Sequence, residues 1–231
     1  MANTTDREDL RTRAKRRADM ESSTFVSDAE WNDYINQGNS ELYDILVSKY
    51  EDFFVKSTTF VDNRSDGIYT IGTTIITDND VYKILGLDVA EGGSTIRMKK
   101  FSFAERNMYD NSVATLSGYE NYRWHYQGNT IRIIPPDSKN TITVWYIPET
   151  AVLSADDTAI ESVINRGWEE YIVIYAARKA LLKEESDVTI LDKELAQMSR
   201  KIQEFAGNRE AGESGKIIDV NQGTSNRWHN Y

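Results

Sequence analysis

Two amphipathic stripes stand near opposite ends of the chain, and the residues between them have a different texture. The first follows Ser27-Asp-Ala-Glu30, a capping box in which a serine closes a helix start and a glutamate reaches back to it. Behind it Trp31, Tyr34, Ile35, Gly38, Leu42, Ile45 and Leu46 recur at steps of three and four. That spacing is one face of a helix running to about Tyr50. Gly38 costs about 1 kcal/mol against alanine in mid-helix, which marks it for a close helix crossing. The second stripe, Ile160, Ile164, Trp168, Tyr171, Ile172, Tyr175 and Leu182, predicts a helix of about 25 residues. Ser186-Asp187 interrupts it and caps another. There Val188, Leu191, Leu195, Met198, Ile202 and Phe205 form a short coiled-coil-like seam, stopped by Gly207 and Gly212.

From Phe53 the chain turns to β-branched and aromatic runs broken by turn residues. Strands are expected at Phe53–Val61, Gly67–Ile71, Ser94–Lys99, Tyr119–Tyr126, Thr130–Ile134 and Thr141–Ile147. Gln127-Gly128-Asn129 reads as a hairpin turn, and Pro135-Pro136 and Pro148 end strands. Two short helices are expected at Asn79–Leu85 and Phe103–Tyr109. The fold class is α+β: a helical bundle built from N- and C-terminal helices, with a central β-rich insertion and an extended C-terminal tail. The corresponding units are a basic arm with its amphipathic helix (1–52), the insertion (53–155), a helical hairpin (156–211) and the tail (212–231).

Charge is polarised. The whole chain carries −10, yet its first twenty residues hold six basic groups against four acidic ones. Acidity suits solubility, or a surface that DNA passes without sticking, better than a phosphate-gripping body. Arg11, Arg13, Lys15, Arg16 and Arg17 are the candidate contacts to DNA or to an acidic partner. They form no single helical stripe and lack interleaved aromatics, so a solvated or disordered arm stands beside that candidate. With no cysteine there is no disulfide, thiolate metal site or cysteine nucleophile. The polar N-terminus is unlike a signal peptide, and no apolar run approaches the roughly 18 residues that span a bilayer.

Chemistry is hard to find. Of the two histidines, His125 lies in an aromatic strand and His229 in the tail, neither with a second histidine at metal-ligand spacing. Asp62-Asn-Arg-Ser-Asp-Gly67 resembles a calcium loop only superficially, since Arg64 and Thr73 occupy ligand positions; it reads as a turn. Gly212-Glu-Ser-Gly-Lys216 lacks the spacing, the hydroxyl and the preceding strand of a phosphate loop. Asp156-Asp157, Glu169-Glu170 and Glu184-Glu185 are sequence neighbours, which point about 100° apart on a helix and make no acid–base dyad. No enzyme, metal or cofactor is expected.

Several stretches resemble a known family. Leu10-Arg-Thr-Arg-Ala-Lys-Arg-Arg-Ala-Asp-Met20, Phe25-Val-Ser-Asp-Ala-Glu-Trp31, Tyr34-Ile-Asn36 and Glu41-Leu-Tyr-Asp-Ile-Leu46 look like the opening of the tailed-bacteriophage head-to-tail adaptor, or connector, proteins. Gly167-Trp-Glu-Glu-Tyr171, Lys183-Glu-Glu-Ser-Asp187, Asn208-Arg-Glu-Ala-Gly-Glu213 and Ile218-Asp-Val220 continue the likeness. So, less specifically, do Gly128-Asn-Thr-Ile-Arg-Ile-Ile-Pro-Pro136 and Val144-Trp-Tyr-Ile-Pro148. The resemblance implies a structural virion protein at the head-tail junction, made in the host cytoplasm. It implies a ring, usually of twelve subunits, under the portal. The partners are then further copies, the portal, tail or nozzle proteins and passing double-stranded DNA, with no membrane. A C-terminal arm reaches the portal, which makes Ile217, Ile218, Val220, Trp228 and Tyr231 candidate partner-binding residues. Alternatives are a gatekeeper or tail completion protein, and a nucleic-acid-binding regulator that uses the basic N-terminal segment.

Overall fold

A computed structural model describes residues 5–76, 81–106, 122–161, 164 and 167–207. Helices lie at both ends and strands between. Helix α1 spans Arg7–Arg17, and Asp6 caps it by accepting from the Asp9 backbone N–H at 2.8 Å. Glu8 and Asp9 open it and Lys15, Arg16 and Arg17 close it, matching charge to the helix dipole at both ends. Leu10 and Ala14, one turn apart, are fully buried. The solvated or disordered arm is therefore corrected to a docked helix. Two small apolar residues suffice because ion pairs supply the rest of the contact.

Helix α2 spans Asp28–Lys49 and begins with the expected capping box. The Glu30 N–H donates to Ser27 Oγ at 3.3 Å, and the Ser27 N–H donates to Glu30 Oε2 at 2.9 Å. Its buried face includes Trp31, Ile35, Leu42 and Leu46. Helix α3 covers Glu170–Lys183, only 14 residues, so the expected long helix is cut by half. The cause lies upstream. The Ile160 N–H donates to the Thr5 carbonyl at 3.0 Å and the Arg7 N–H to the Thr158 carbonyl at 3.1 Å, holding 158–160 extended. Ile160 still packs on the helical core from this extended segment, and Ile164 packs on it from a bend further on. Helix α4, Thr189–Gly207, starts where Asp187 accepts from the Thr189 N–H at 2.9 Å.

The middle forms two four-stranded sheets. The strands are β1 (Lys56–Val61), β2 (Ile68–Thr70), β3 (Val81–Glu91), β4 (Ser94–Arg97), β5 (Lys99–Lys100), β6 (Arg123–Gln127), β7 (Thr130–Ile134) and β8 (Thr141–Pro148). One sheet runs β1-β8-β3-β4, all antiparallel; the other runs β2-β7-β6-β5, with β5 parallel to β6. Leu87, Val89, Ile142 and Val144 from the first meet Trp124, Ile131 and Ile133 from the second in one core. The hairpin at Gly128-Asn129 forms as expected, with Gln127 opposite Thr130.

Four expectations need revision. The expected strand Phe53–Val61 begins only at Lys56, because Phe53 and Phe54 close a 3₁₀ turn over Glu51–Phe54; of the expected strand Tyr119–Tyr126, residues 119–121 lie outside the described residues. Asn79–Leu85 is not a helix: Val81 onward is an eleven-residue strand, and residues 79 and 80 lie outside the described residues. Its register slips between Val81 and Lys83 and again between Ile84 and Gly86, so the alternation that signals a strand is broken twice. The expected helix at Phe103–Tyr109 is a single 3₁₀ turn over Phe103–Glu105, and 107–109 are not described. The expected strand Ser94–Lys99 is divided at buried Met98, where the chain crosses between sheets. The Met98 N–H donates to the Leu87 carbonyl at 2.8 Å, and the Lys99 N–H to the Tyr122 carbonyl at 3.0 Å.

The run 62–67 is a turn. Its Asp62 is fully buried, accepting from the Tyr69 hydroxyl at 2.7 Å and the Ser138 N–H at 2.8 Å. This carboxylate joins the turn between β1 and β2 to the turn between β7 and β8.

Candidate interfaces for assembly

The cations near the N-terminus fold back onto the chain's own carboxylates. Arg11 donates to both Asp156 oxygens, at 2.9 and 3.1 Å, and Arg7 joins it at 2.8 Å. Arg13 meets Asp9 at 3.3 Å and Glu170 at 2.8 Å, Lys15 meets Asp28 at 2.5 Å, and Arg16 meets Glu21 at 2.9 Å. Arg17 bridges Glu170 and Glu194. These residues clamp α1 across α3 and α4. An outside anion has to displace the internal carboxylates first.

The clamp carries a pH dependence. Hydrogen bonding to Arg11, then to Arg7, holds Asp156 at about 2, below its ordinary 3.8. Lys183, followed by the Ser27 backbone and hydroxyl, holds Glu30 at about 2, below its ordinary 4.5. A depressed folded pKa gives stability that is complete above the unfolded value and lost as pH falls through the folded one. The window therefore runs from pH 4.5 down to about 2. A Glu30→Gln, Asp156→Asn double variant is expected to show a melting temperature that changes less across that window than the parent's. Parallel melting curves would refute it.

Among the places where apolar side chains are left uncovered, three stand out. On the helical hairpin Leu182, Ile190 and Phe205 are exposed, Ile190 at 70 %. On the outer face of the first sheet Trp145 stands between its register partners Ser57 and Gly86, with Val61 exposed on the same face. The Trp145 indole donates to Asp88 on the neighbouring strand at 2.6 Å, which fixes the ring in place. The third place is a cleft of about 480 Å³ between α2 and the segment after β8, with Tyr82 and Val152 on its rim. At its base the Tyr43 hydroxyl donates to the Pro148 carbonyl at 2.6 Å, and burial pushes the Tyr43 phenol up. Asp44 accepts from Tyr82. Aromatic and aliphatic side chains at exposed positions are the usual anchors of protein–protein contact.

His125 is packed, not poised for catalysis. Its Nδ1 lies 3.0 Å from the Phe101 carbonyl, and its ring sits between those of Phe101 and Phe103. Among the described residues no group of three or more His, Asp or Glu could hold a metal ion. Among them, too, no helix is long and apolar enough to cross a membrane.

The profile of the SU10 adaptor protein family matches residues 5–220, nearly the whole chain and both kinds of structure in it. The chain belongs to the SU10 adaptor protein family. This is a family of phage head-to-tail adaptors, so the protein is a structural virion component that contacts other head and tail proteins. No curated protein matches the adaptor. Of the residues put forward from sequence, Arg11, Arg13, Lys15, Arg16 and Arg17 lie together in the clamp. Ile217, Ile218, Val220, Trp228 and Tyr231 fall outside the described residues. The adaptor's exposed Tyr82, Trp145 and Val152 were missed. An aromatic at the outward phase of a strand is the available signal for two of them: that of Trp145 is contained in the expected strand Thr141–Ile147, whereas that of Tyr82 needs the phase of β3, which its two register slips conceal. Val152 lies on no strand and carries no such signal.

Proposed function

We propose that the adaptor assembles into a ring of about twelve subunits beneath the portal, extends the DNA channel and supports the tail. The observation that carries this reading is the family match over residues 5–220. The exposed apolar groups support it, since Leu182, Ile190 and Phe205 lie on a hairpin that buries only part of its stripe. The helical ends, 1–52 and 156–211, form the body of the ring; 53–155 is an insertion; and 212–231 is an arm that orders on the portal. Ile217, Ile218, Val220, Trp228 and Tyr231 supply the apolar contacts of that arm, with its ordering cost offset on binding. Double-stranded DNA passes through the ring without sequence recognition.

Mass photometry of the full chain, alone and with the portal from the same genome, tests the ring. A species of about twelve subunits, or a portal that gains one chain per portal subunit, is expected. A monomer indifferent to the portal refutes it and turns attention to a gatekeeper or completion protein. Deleting residues 212–231 is expected to abolish attachment to the portal with the helical circular dichroism intact. Undiminished attachment removes the arm from the proposal.

A further inference from the structure

Where the chain crosses from the first sheet to the second, an open groove of about 650 Å³ lies over Gly86 and Met98. Arg97, Lys99, Lys100 and Arg123 line it. They arrive from the end of β4, from β5 and from β6, so four cations border one groove on a chain of net charge −10, with Arg97 opposite its register partner Asp88. Arg97, Lys99 and Lys100 are exposed, and among the described residues none of the three forms an ion pair. The contrast with α1 is direct, where each of the six cations finds a carboxylate of its own chain.

Lys99 and Arg123 are register partners on adjacent parallel strands. Lys100 holds its ammonium 5.2 Å from the centre of the Trp124 ring, a cation–π contact that anchors it at the groove.

We propose that this groove holds the sugar–phosphate backbone of double-stranded DNA, an inference that rests on the adaptor's standing around a DNA channel. Two observations favour a duplex backbone over other polyanions. Trp124 is only 2 % exposed, so no ring face is free to stack an unpaired base, as a single-strand site requires. Protein interfaces are depleted in lysine and built on exposed aromatics, and Val61, Trp145, Val152 and Ile190 all lie outside the groove lining. Interfaces with nucleic acid are the more polar and the more positive ones. The acidic remainder of the surface repels the duplex, so contact is confined to this groove and is free of sequence preference.

Fluorescence anisotropy of a labelled duplex with the full-length adaptor tests this across a salt series. Affinity is expected to fall with salt, log K against log salt sloping at about −3 to −4 for three to four phosphates. An Arg97→Gln, Lys99→Ala, Lys100→Ala variant is expected to bind at least about tenfold more weakly, with a flattened slope. A Lys193→Ala, Lys201→Ala control on α4 is expected to bind as the parent does. Melting curves of all three verify folding, and mass photometry of the same samples reads the ring independently. No binding by an intact ring at the lowest salt overturns the groove and leaves the ring standing. Binding unchanged in the triple variant overturns it as well. Loss of self-assembly in that variant, with DNA binding retained, assigns the groove to carboxylates of a neighbouring copy and refutes the proposal.

Discussion

Replacing Gly38 with valine is expected to destabilise the helical core by about 2–3 kcal/mol, because nothing larger than a hydrogen fits freely where α2 crosses α3. A Cβ at this position would lie 3.2 Å from Tyr175 Cδ1, 3.3 Å from Tyr175 Cβ and 3.4 Å from Ile172 Cα. Alanine brings only that one atom. Its tight contact is offset by about 1 kcal/mol of helix propensity regained, so Gly38→Ala is expected to be nearly neutral. Valine adds two methyl groups held stiffly by β-branching. They have to push back α3 itself, since Ile172, Ala176 and Ala177 behind it are fully buried. Urea unfolding of both variants separates propensity from crossing. A valine variant within about 0.5 kcal/mol of the alanine one would show that the two helices part easily.

Removing the carboxylate of Asp62 is expected to cost the β-rich region about 3 kcal/mol, a similar loss by a different physical route. Asp62→Ala leaves the Ser138 N–H and the Tyr69 hydroxyl without the charged acceptor they now share. The Tyr69 oxygen already accepts from the Asn63 and Arg64 N–H groups at 2.9 and 3.1 Å, so it can turn to no other role. Burial, then the Asp62 hydrogen bond, pushes that phenol up to about 12, so it remains a donor at neutral pH. Asparagine should restore little. In either orientation its amide turns an N–H toward a donor, Ser138 N–H or a phenol whose oxygen is occupied. The clasp tolerates no side chain beside it, because a Cβ on Gly67, at φ +62°, would come within 2.5 Å of the Ile133 carbonyl oxygen. Thermal unfolding of Asp62→Ala and Asp62→Asn, read by tryptophan fluorescence near Trp124, checks both expectations. An asparagine variant as stable as the parent would show that the carboxylate charge is dispensable there.

What the sequence made legible was local. The capping box at Ser27 and Glu30 joins residues three apart, and the Gly128-Asn129 hairpin joins neighbouring strands, so both were visible without the fold. The long stripe of α2 and the seam of α4 followed from helical periodicity, and β6, β7 and β8 from β-branched and aromatic runs between turn residues. What stayed hidden depended on distant partners. The stripe from Ile160 has helical spacing, yet Thr5 holds residue 160 extended from the other end of the chain. Arg11 and Arg13 showed only scattered positive charge, because Asp156 and Glu170 lie some 150 positions further on. The basic groove was invisible for the same reason, since nothing in the sequence pairs Lys99 with Arg123 in parallel. The strand β3 was obscured locally, by two register slips inside one run.

The clamp between α1 and the chain's last third sets an order of events during synthesis. Every strand of the two sheets has left the ribosome once residue 148 has emerged, so the β-rich region has all its strands while translation continues. Helices α1 and α2 are made before it, but the face they turn to α3 stays open until Trp168, Ile172 and Ala176 follow. The carboxylates that neutralise Arg13 and Arg17, at 170 and 194, come last of all. The oldest part of the polypeptide is thus the last to find its place, and it does so by closing over a finished centre. A subunit interrupted before residue 170 keeps Trp31, Ile35 and Leu42 exposed, a surface that a cell's quality-control machinery recognises.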